Sequence, residues 1–203
     1  MATEPGTHGL SAAQWVEKLS LISKYLERPT SLCIIGSIPA MFAGQPSRMT
    51  IDLDTWEAAS DFAYADLQQA CEKADLLFNP KDELEPDKPY IQIVEKGRVE
   101  IGNFNATTEL MKEGSLVVVR PPFENIVAAK LTRMLPQDLT DIRYLLTEQN
   151  IDRARVEKIV RNFPGQHKVA GTDNLVYIDV LAPSKPRKLP TPRGASRARE
   201  MAG

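Results

Sequence analysis

Two aspartates one residue apart, Asp52 and Asp54 in Thr50-Ile51-Asp52-Leu53-Asp54-Thr55-Trp56, are the side chains best spaced to do chemistry together. Ile51, Leu53 and Thr55 fall on one parity and the aspartates on the other, the period of a half-buried strand. Both carboxylates then leave one face with Cα atoms ~6.5–7 Å apart. So placed, they can converge on metal ions ~3.5–4 Å apart, as in-line phosphoryl or nucleotidyl transfer requires. Asp-x-Asp alone is also what a solvated strand face shows. A second feature precedes it: the apolar run Leu32 to Ile35 ends in Gly36-Ser37, at a strand-to-helix turn. Free backbone N–H groups and the helix dipole at such a turn favour a phosphate, glycine permits close approach, and Ser37 can donate its hydroxyl. A Gly-Ser turn alone is most often only a turn. The two features end successive strands joined by a short helix, so they can face one cleft.

The elements that must position them follow from periodicity. Ser11-Ala12-Ala13-Gln14 matches a capping box and Trp15, Leu19, Ile22 and Leu26 follow at helical spacing, which predicts a helix over 12–27 stopped at Arg28-Pro29. Leu32 to Ile35 reads as a buried strand, Ile38 to Ala43 as a short helix and Thr50 to Trp56 as the aspartate strand. Ser60 is placed to cap a helix through about Ala74. Asn79 to Pro89 reads as a loop, and Tyr90–Val94 with Arg98–Phe104 as a hairpin about Glu95-Lys96-Gly97. Leu116 to Val119 predicts a strand. Helices follow over Phe123 to Leu135, from Asp138 or Thr140 to Glu148, and from an Asp152 cap to about Phe163. LVYIDVL, residues 175–181, reads as a late strand. This order predicts an α/β (α+β) core over residues 1–120 and a helical subdomain with the late strand over 121–182.

Strand, Gly-Ser, short helix, Arg-x-Thr and Asp-x-Asp, here Ile34-Ile35-Gly36-Ser37 and Arg48-Met49-Thr50-Ile51-Asp52-Leu53-Asp54, resemble the signature of the polymerase-β-like nucleotidyltransferase superfamily. The segment PPFENIVAAKLTRMLPQDLTDIRYLL, Pro121 to Leu146, is similar to a block of the AbiEii-type toxins and their bacterial relatives. The resemblance implies a nucleotidyltransferase-like mixed sheet flanked by helices, followed by a small helical subdomain. It implies transfer of a nucleotide from an NTP, with Mg²⁺ or Mn²⁺ on Asp52 and Asp54, to an RNA 3′ end, such as that of tRNA, or to a protein hydroxyl. A cognate antitoxin would be a further partner. Gly36, Ser37 and Lys130 would hold the triphosphate. Arg133 shares the Lys130 face and would assist, while Arg48 would fix entry to the aspartate strand or bind phosphate. From the residues alone, a lysine in the apolar 127–131 stripe either snorkels outward or serves a local anion. Asp138 and Asp141 match the block's two carboxylates, one reaching the site and the other capping its helix. Superfamily members add a third carboxylate from a neighbouring strand. Glu100 is the candidate, since Val99 and Ile101 take the other parity, toward the core. Glu100 or Asp141 would serve as metal ligand or base.

Two departures stand out. Ile38-Pro39 follows the Gly-Ser turn where small residues are usual, and Met134-Leu135-Pro136-Gln137 replaces the basic residues expected after Lys130. They leave a second reading open: a nucleotidyltransferase-like module that binds nucleotide or a partner with little or no turnover.

Composition narrows the classes. Two cysteines (Cys33, Cys71) and two histidines (His8, His167) are too few soft ligands for a zinc site, so a metal would take oxygen ligands. Both cysteines read as reduced core thiols. No apolar run nears the ~20 residues that cross a bilayer and the N-terminus lacks a signal-peptide pattern, so the expectation is a cytoplasmic protein with no membrane partner. Residues 183–203 carry six basic side chains and one acidic, a net +5 against −7 for the rest. With four prolines and little to bury, this tail is expected to be disordered, either serving phosphate contacts or an acidic partner, or simply solvated.

Overall fold

The computed structural model describes residues 9–80 and 88–182. The expected disordered tail, and most of the expected Asn79–Pro89 loop, lie outside the described residues. Helix α1 (Ala12–Tyr25) begins at a capping box, the Ser11 Oγ accepting the Gln14 N–H while the Gln14 side chain accepts the Ser11 N–H. It buries Trp15, Leu19 and Ile22, and the Trp15 indole donates to the Thr50 carbonyl at 3.1 Å. The chain continues through β1 (Thr30–Cys33), α2 (Ile38–Phe42), β2 (Asp52–Trp56), α3 (Tyr64–Lys73), β3 (Leu77–Phe78) and β4 (Tyr90–Val94). Next come β5 (Thr108–Glu113), β6 (Leu116–Arg120) and five helices: α4 (Phe123–Leu131), α5 (Pro136–Glu148), α6 (Arg153–Arg161), α7 (Gly165–Asn174) and α8 (Val176–Leu181).

Two small sheets form, in the orders β1-β6-β5 and β2-β4-β3. The first is mixed, with β1 parallel and β5 antiparallel to β6; the second is parallel throughout. The chain leaving β1 joins them: the Ile34 N–H donates to the Val119 carbonyl at 2.8 Å and the Ile35 N–H to the Asp54 carbonyl at 2.9 Å. This seam fixes the Gly36 turn beside the aspartate strand. α1 and α3 cover the main core, which includes Leu32, Ile34, Leu53, Ile91, Leu116 and Val118. A second core, around Ile126, Val127, Leu131, Ile142, Leu145 and Val160, holds the C-terminal helices together and takes in Ala40 of α2. The architecture is thus an α/β fold of small sheets with flanking helices and a helical C-terminal part. Cys33 and Cys71 are free and buried, and burial pushes each thiol up to about 12.

Three expectations need correction, and one helix was not expected. The expected hairpin partner Arg98–Phe104 is not a strand; β4 pairs instead in parallel with β2 along its whole length and with β3 at Tyr90 and Ile91. The hairpin instead joins β5 to β6, with Gly114 at φ +51 in the turn. Residues 175–181 form helix rather than strand: the segment packs among helices with no sheet edge near, burying Ile178 and leaving Val176 and Val180 exposed. Ser60 caps no helix; its Oγ donates to the Trp56 carbonyl at 2.7 Å and accepts the Cys33 N–H at 2.9 Å, tying β2 to β1. Helix α7 was not expected, and its Gly171 lies so close to α6 that a Cβ there would come 2.8 Å from Val160 Cγ1.

Candidate active site

Strand β2 places Leu53 and Thr55 in the core and turns Asp52 and Asp54 to the other face, both partly buried. The Thr50 hydroxyl donates to the Asp52 carboxylate. Gly36 lies directly against Asp54. It sits at φ +71, and a Cβ at this position would come 2.5 Å from Asp54 Oδ2, so only glycine lets the turn and the carboxylate approach this closely. Burial, and then the charge of Asp52, raise Asp54 from 3.8 to about 6, against the lowering effects of Arg133, Lys130 and Arg98. Tyr90, the β4 residue paired with Asp52, has its phenol raised by burial and then by the two aspartates.

Behind this face lies a polar cluster linking α2 and its following loop to α4 and α5. Asp141 is fully buried, and its two oxygens accept four donors. Oδ2 takes the Ser37 hydroxyl at 2.9 Å and Lys130 Nζ at 2.8 Å; Oδ1 takes Gln45 Nε2 at 3.0 Å and Arg48 Nε at 3.1 Å. Arg48 Nη2 also donates to Ser37 Oγ at 2.6 Å. Asp138, equally buried, accepts from Lys130 at 3.0 Å and from Arg133 at 2.9 and 3.1 Å. It also accepts the Leu135 N–H at the start of α5, at 3.3 Å. Burial works to raise the Asp138 carboxyl, but the Arg133 hydrogen bonds and the charge and hydrogen bond of Lys130 outweigh it and hold it below its ordinary value. The lysine in the apolar stripe therefore serves local anions, and both belong to the protein. Arg133, with its side chain 42% exposed, reaches from this cluster to the surface.

Gly36, Asp54, Lys130 and Arg133 line one cavity of about 20 Å³, closed on its other side by Val99, Ile101 and Ile126. That volume suits a water molecule, not a nucleotide. Glu100 is not brought here. Val99 and Ile101 take the parity facing Asp54, which sends Glu100 into a different cavity, where its Oε1 accepts the Gly102 N–H at 3.0 Å. Val99 and Ile101 do face the core, as their parity predicts, but Asp54 lies on that same side, so Glu100 on the opposite parity is carried away from it. Asp141, the other carboxylate considered as ligand or base, is saturated by the four donors above. Gln45 and Tyr90 belong to the surroundings of the site but gave no sequence signal, since each depends on a long-range contact.

Among the described residues, no group of three or more His, Cys, Asp or Glu side chains is placed to share a metal ion. Asp52 and Asp54 still fit one Mg²⁺, which commonly takes one or two carboxylates and completes its octahedron with water and substrate phosphate. The mutual repulsion and burial that raise Asp54 are what a bound dication would relieve.

No curated protein and no solved structure matches the chain. The sequence model of one family, described as a nucleotidyltransferase of unknown function (DUF6036), matches residues 13–173, which includes every element described in this site. The chain belongs to this DUF6036 family of nucleotidyltransferases.

Proposed function

We propose that the protein transfers a nucleotide from an NTP to an acceptor hydroxyl, using Asp52 and Asp54 to hold Mg²⁺ or Mn²⁺. The observation that carries this reading is the close approach of Gly36 to Asp54, which sets the Gly-Ser turn against the carboxylate pair. When bound, the cation supplies charge neutralisation to the triphosphate and acidifies the attacking hydroxyl. A bond forms between acceptor oxygen and α-phosphorus, and the bond to the bridging oxygen breaks. Pyrophosphate leaves with that electron pair. The hydroxyl proton is released to solvent, since Asp54 is committed to holding the cation and loses its raised proton affinity when it does so. The cluster behind it has three cations (Arg48, Lys130, Arg133) against two carboxylates (Asp138, Asp141), leaving one positive charge to face the phosphates. Because the cavity is so small, the nucleotide lies over its mouth, where Arg133 is accessible. Asp141 acts as a positioning residue, orienting Ser37, Arg48 and Lys130. The resemblance to AbiEii-type toxins supports a toxin role with a cognate antitoxin, in the cytoplasm, and leaves an RNA 3′ end or a protein hydroxyl as acceptor.

Mg²⁺ with the correct NTP is expected to raise the melting temperature of the wild type, by the equivalent of ~2.7 kcal/mol at a hundredfold excess over Kd. Asp52→Ala should show no such shift. Absence of any shift with all four NTPs would sink the proposal. The Glu100 placement favours a second reading, nucleotide binding without turnover, which predicts the same shift but no product.

A further inference from the structure

A cavity of about 360 Å³ lies on the other side of the 99–103 segment from Asp54. Val99 and Ile101 line the small cavity while Glu100, Gly102 and Asn103 line the large one, so a single stretch of chain separates them. The far wall is one face of α6, bearing Arg155, Lys158, Ile159 and Asn162, while Val156 and Val160 face the core. Gly102 sets this spacing: it sits at φ +70, and a Cβ there would come 2.7 Å from Ile159 Cγ2. A volume of this size falls within the range of pockets that hold small molecules or single units of a polymer.

The lining is net cationic, Arg155 and Lys158 against the one acid Glu100. Arg153 and Arg161 of the same helix are paired with Asp179 and Glu157. Arg155 and Lys158 are exposed, and among the described residues neither side chain has an ion-pair or hydrogen-bond partner. Glu100 is held to its own segment through the Gly102 N–H. Residues 151–168 carry five basic and two acidic side chains, a net +3, in a chain whose residues 1–182 total −7. A local cationic face on an acidic protein is a specific feature, not a consequence of overall charge.

We infer that this cavity receives the acceptor as single-stranded RNA, with Arg155 and Lys158 on backbone phosphates and the Asn103 and Asn162 amides facing sugar hydroxyls. The inference rests on the reading of Asp52 and Asp54 as a transfer site and chooses between the acceptors left open there. A protein hydroxyl needs no pair of free cations beside it, whereas a strand carries a phosphate at every unit.

The test is anisotropy of a labelled single-stranded oligoribonucleotide with the full chain, between ~50 and ~200 mM salt. Arg155→Gln/Lys158→Gln should bind about tenfold more weakly at the low end and show a log K against log salt slope smaller by ~1.4, two phosphates at ~0.7 each. Arg155→Lys/Lys158→Arg should retain wild-type binding. The Mg·NTP melting shift should be the same in the Gln variant as in the wild type. Unchanged RNA binding in the Gln variant, or no RNA binding by the wild type, would overturn the inference. So would loss of the Mg·NTP shift in the Gln variant, which would assign the cavity to the nucleotide. RNA binding that depends on Arg155 and Lys158 without any Mg·NTP shift would uphold this site while removing the transfer reading, so the two failures are distinguishable.

Discussion

In chelator at about pH 8, Asp54→Asn should melt above the wild type, and the same variant should lose nucleotidyl transfer. Burial and the neighbouring Asp52 raise Asp54 to about 6 in the folded protein, against an ordinary 3.8. The folded state therefore holds this proton more tightly than the unfolded chain. Its stabilising effect is complete below about 3.8, declines as pH rises through about 6, and is absent above. A shift of two units corresponds to a penalty on the order of 3 kcal/mol for the ionised wild type. Asparagine has no charge to desolvate, so the gap between the two proteins should open from acid toward pH 8 and close again when Mg²⁺ stabilises the wild type. Thermal melts across that range check it. A variant that melts below wild type at every pH would contradict the assignment of Asp54 as a strained, buried carboxylate.

The second large effect concerns Lys130. Its ammonium lies 2.8 Å from Asp141 and 3.0 Å from Asp138, and all three groups are buried. Lys130→Met preserves the packing of α4 but strips both carboxylates of a shared partner. Removing one side of a buried pair costs about 3–5 kcal/mol. Arg48 and Arg133 remain in place, so the lower end, roughly 3 kcal/mol, is expected. That corresponds to a fall of ~6–12 °C for a chain of this size. Lys130→Met/Asp141→Asn should recover part of the loss, since it removes one stranded charge. Urea denaturation measures both. A change below ~1 kcal/mol in the single variant would mean that Lys130 is not the pillar of this cluster and is held for the substrate alone.

The readable parts of the fold were those set by local pattern. The α1 capping box, the alternation that turns Asp52 and Asp54 to one face, and the β1–Gly36–α2 turn each rest on contacts within a few residues. The errors arose where topology decided. Residues 98–104 have strand-like alternation, but β4 takes its partners from β2 and β3, both earlier in the sequence, and the adjacent segment stays irregular. Residues 175–181 are rich in β-branched side chains, yet they lie among helices. The same limit applied to the site. Parity correctly separated Glu100 from Val99 and Ile101, but which parity faced Asp54 depended on how the segment packed against α4 and α6. The apolar stripe around Lys130 left two outcomes open, snorkelling outward or serving a local anion. That its anions are Asp138 and Asp141, and that Asp141 also gathers Ser37, Gln45 and Arg48 from the other side of the molecule, required the tertiary structure.

The central claim is that Asp52 and Asp54 form the metal-dependent centre of a nucleotidyltransferase. Its most direct test is incubation of the full chain with Mg²⁺, each NTP labelled at the α-phosphate, and single-stranded RNA, with Asp52→Ala in parallel. Label should appear on the RNA with the wild type and one NTP, and fall by roughly 10²-fold or more in Asp52→Ala, whose melting in chelator should show an intact fold. Transfer by Asp52→Ala at the wild-type rate would contradict the claim.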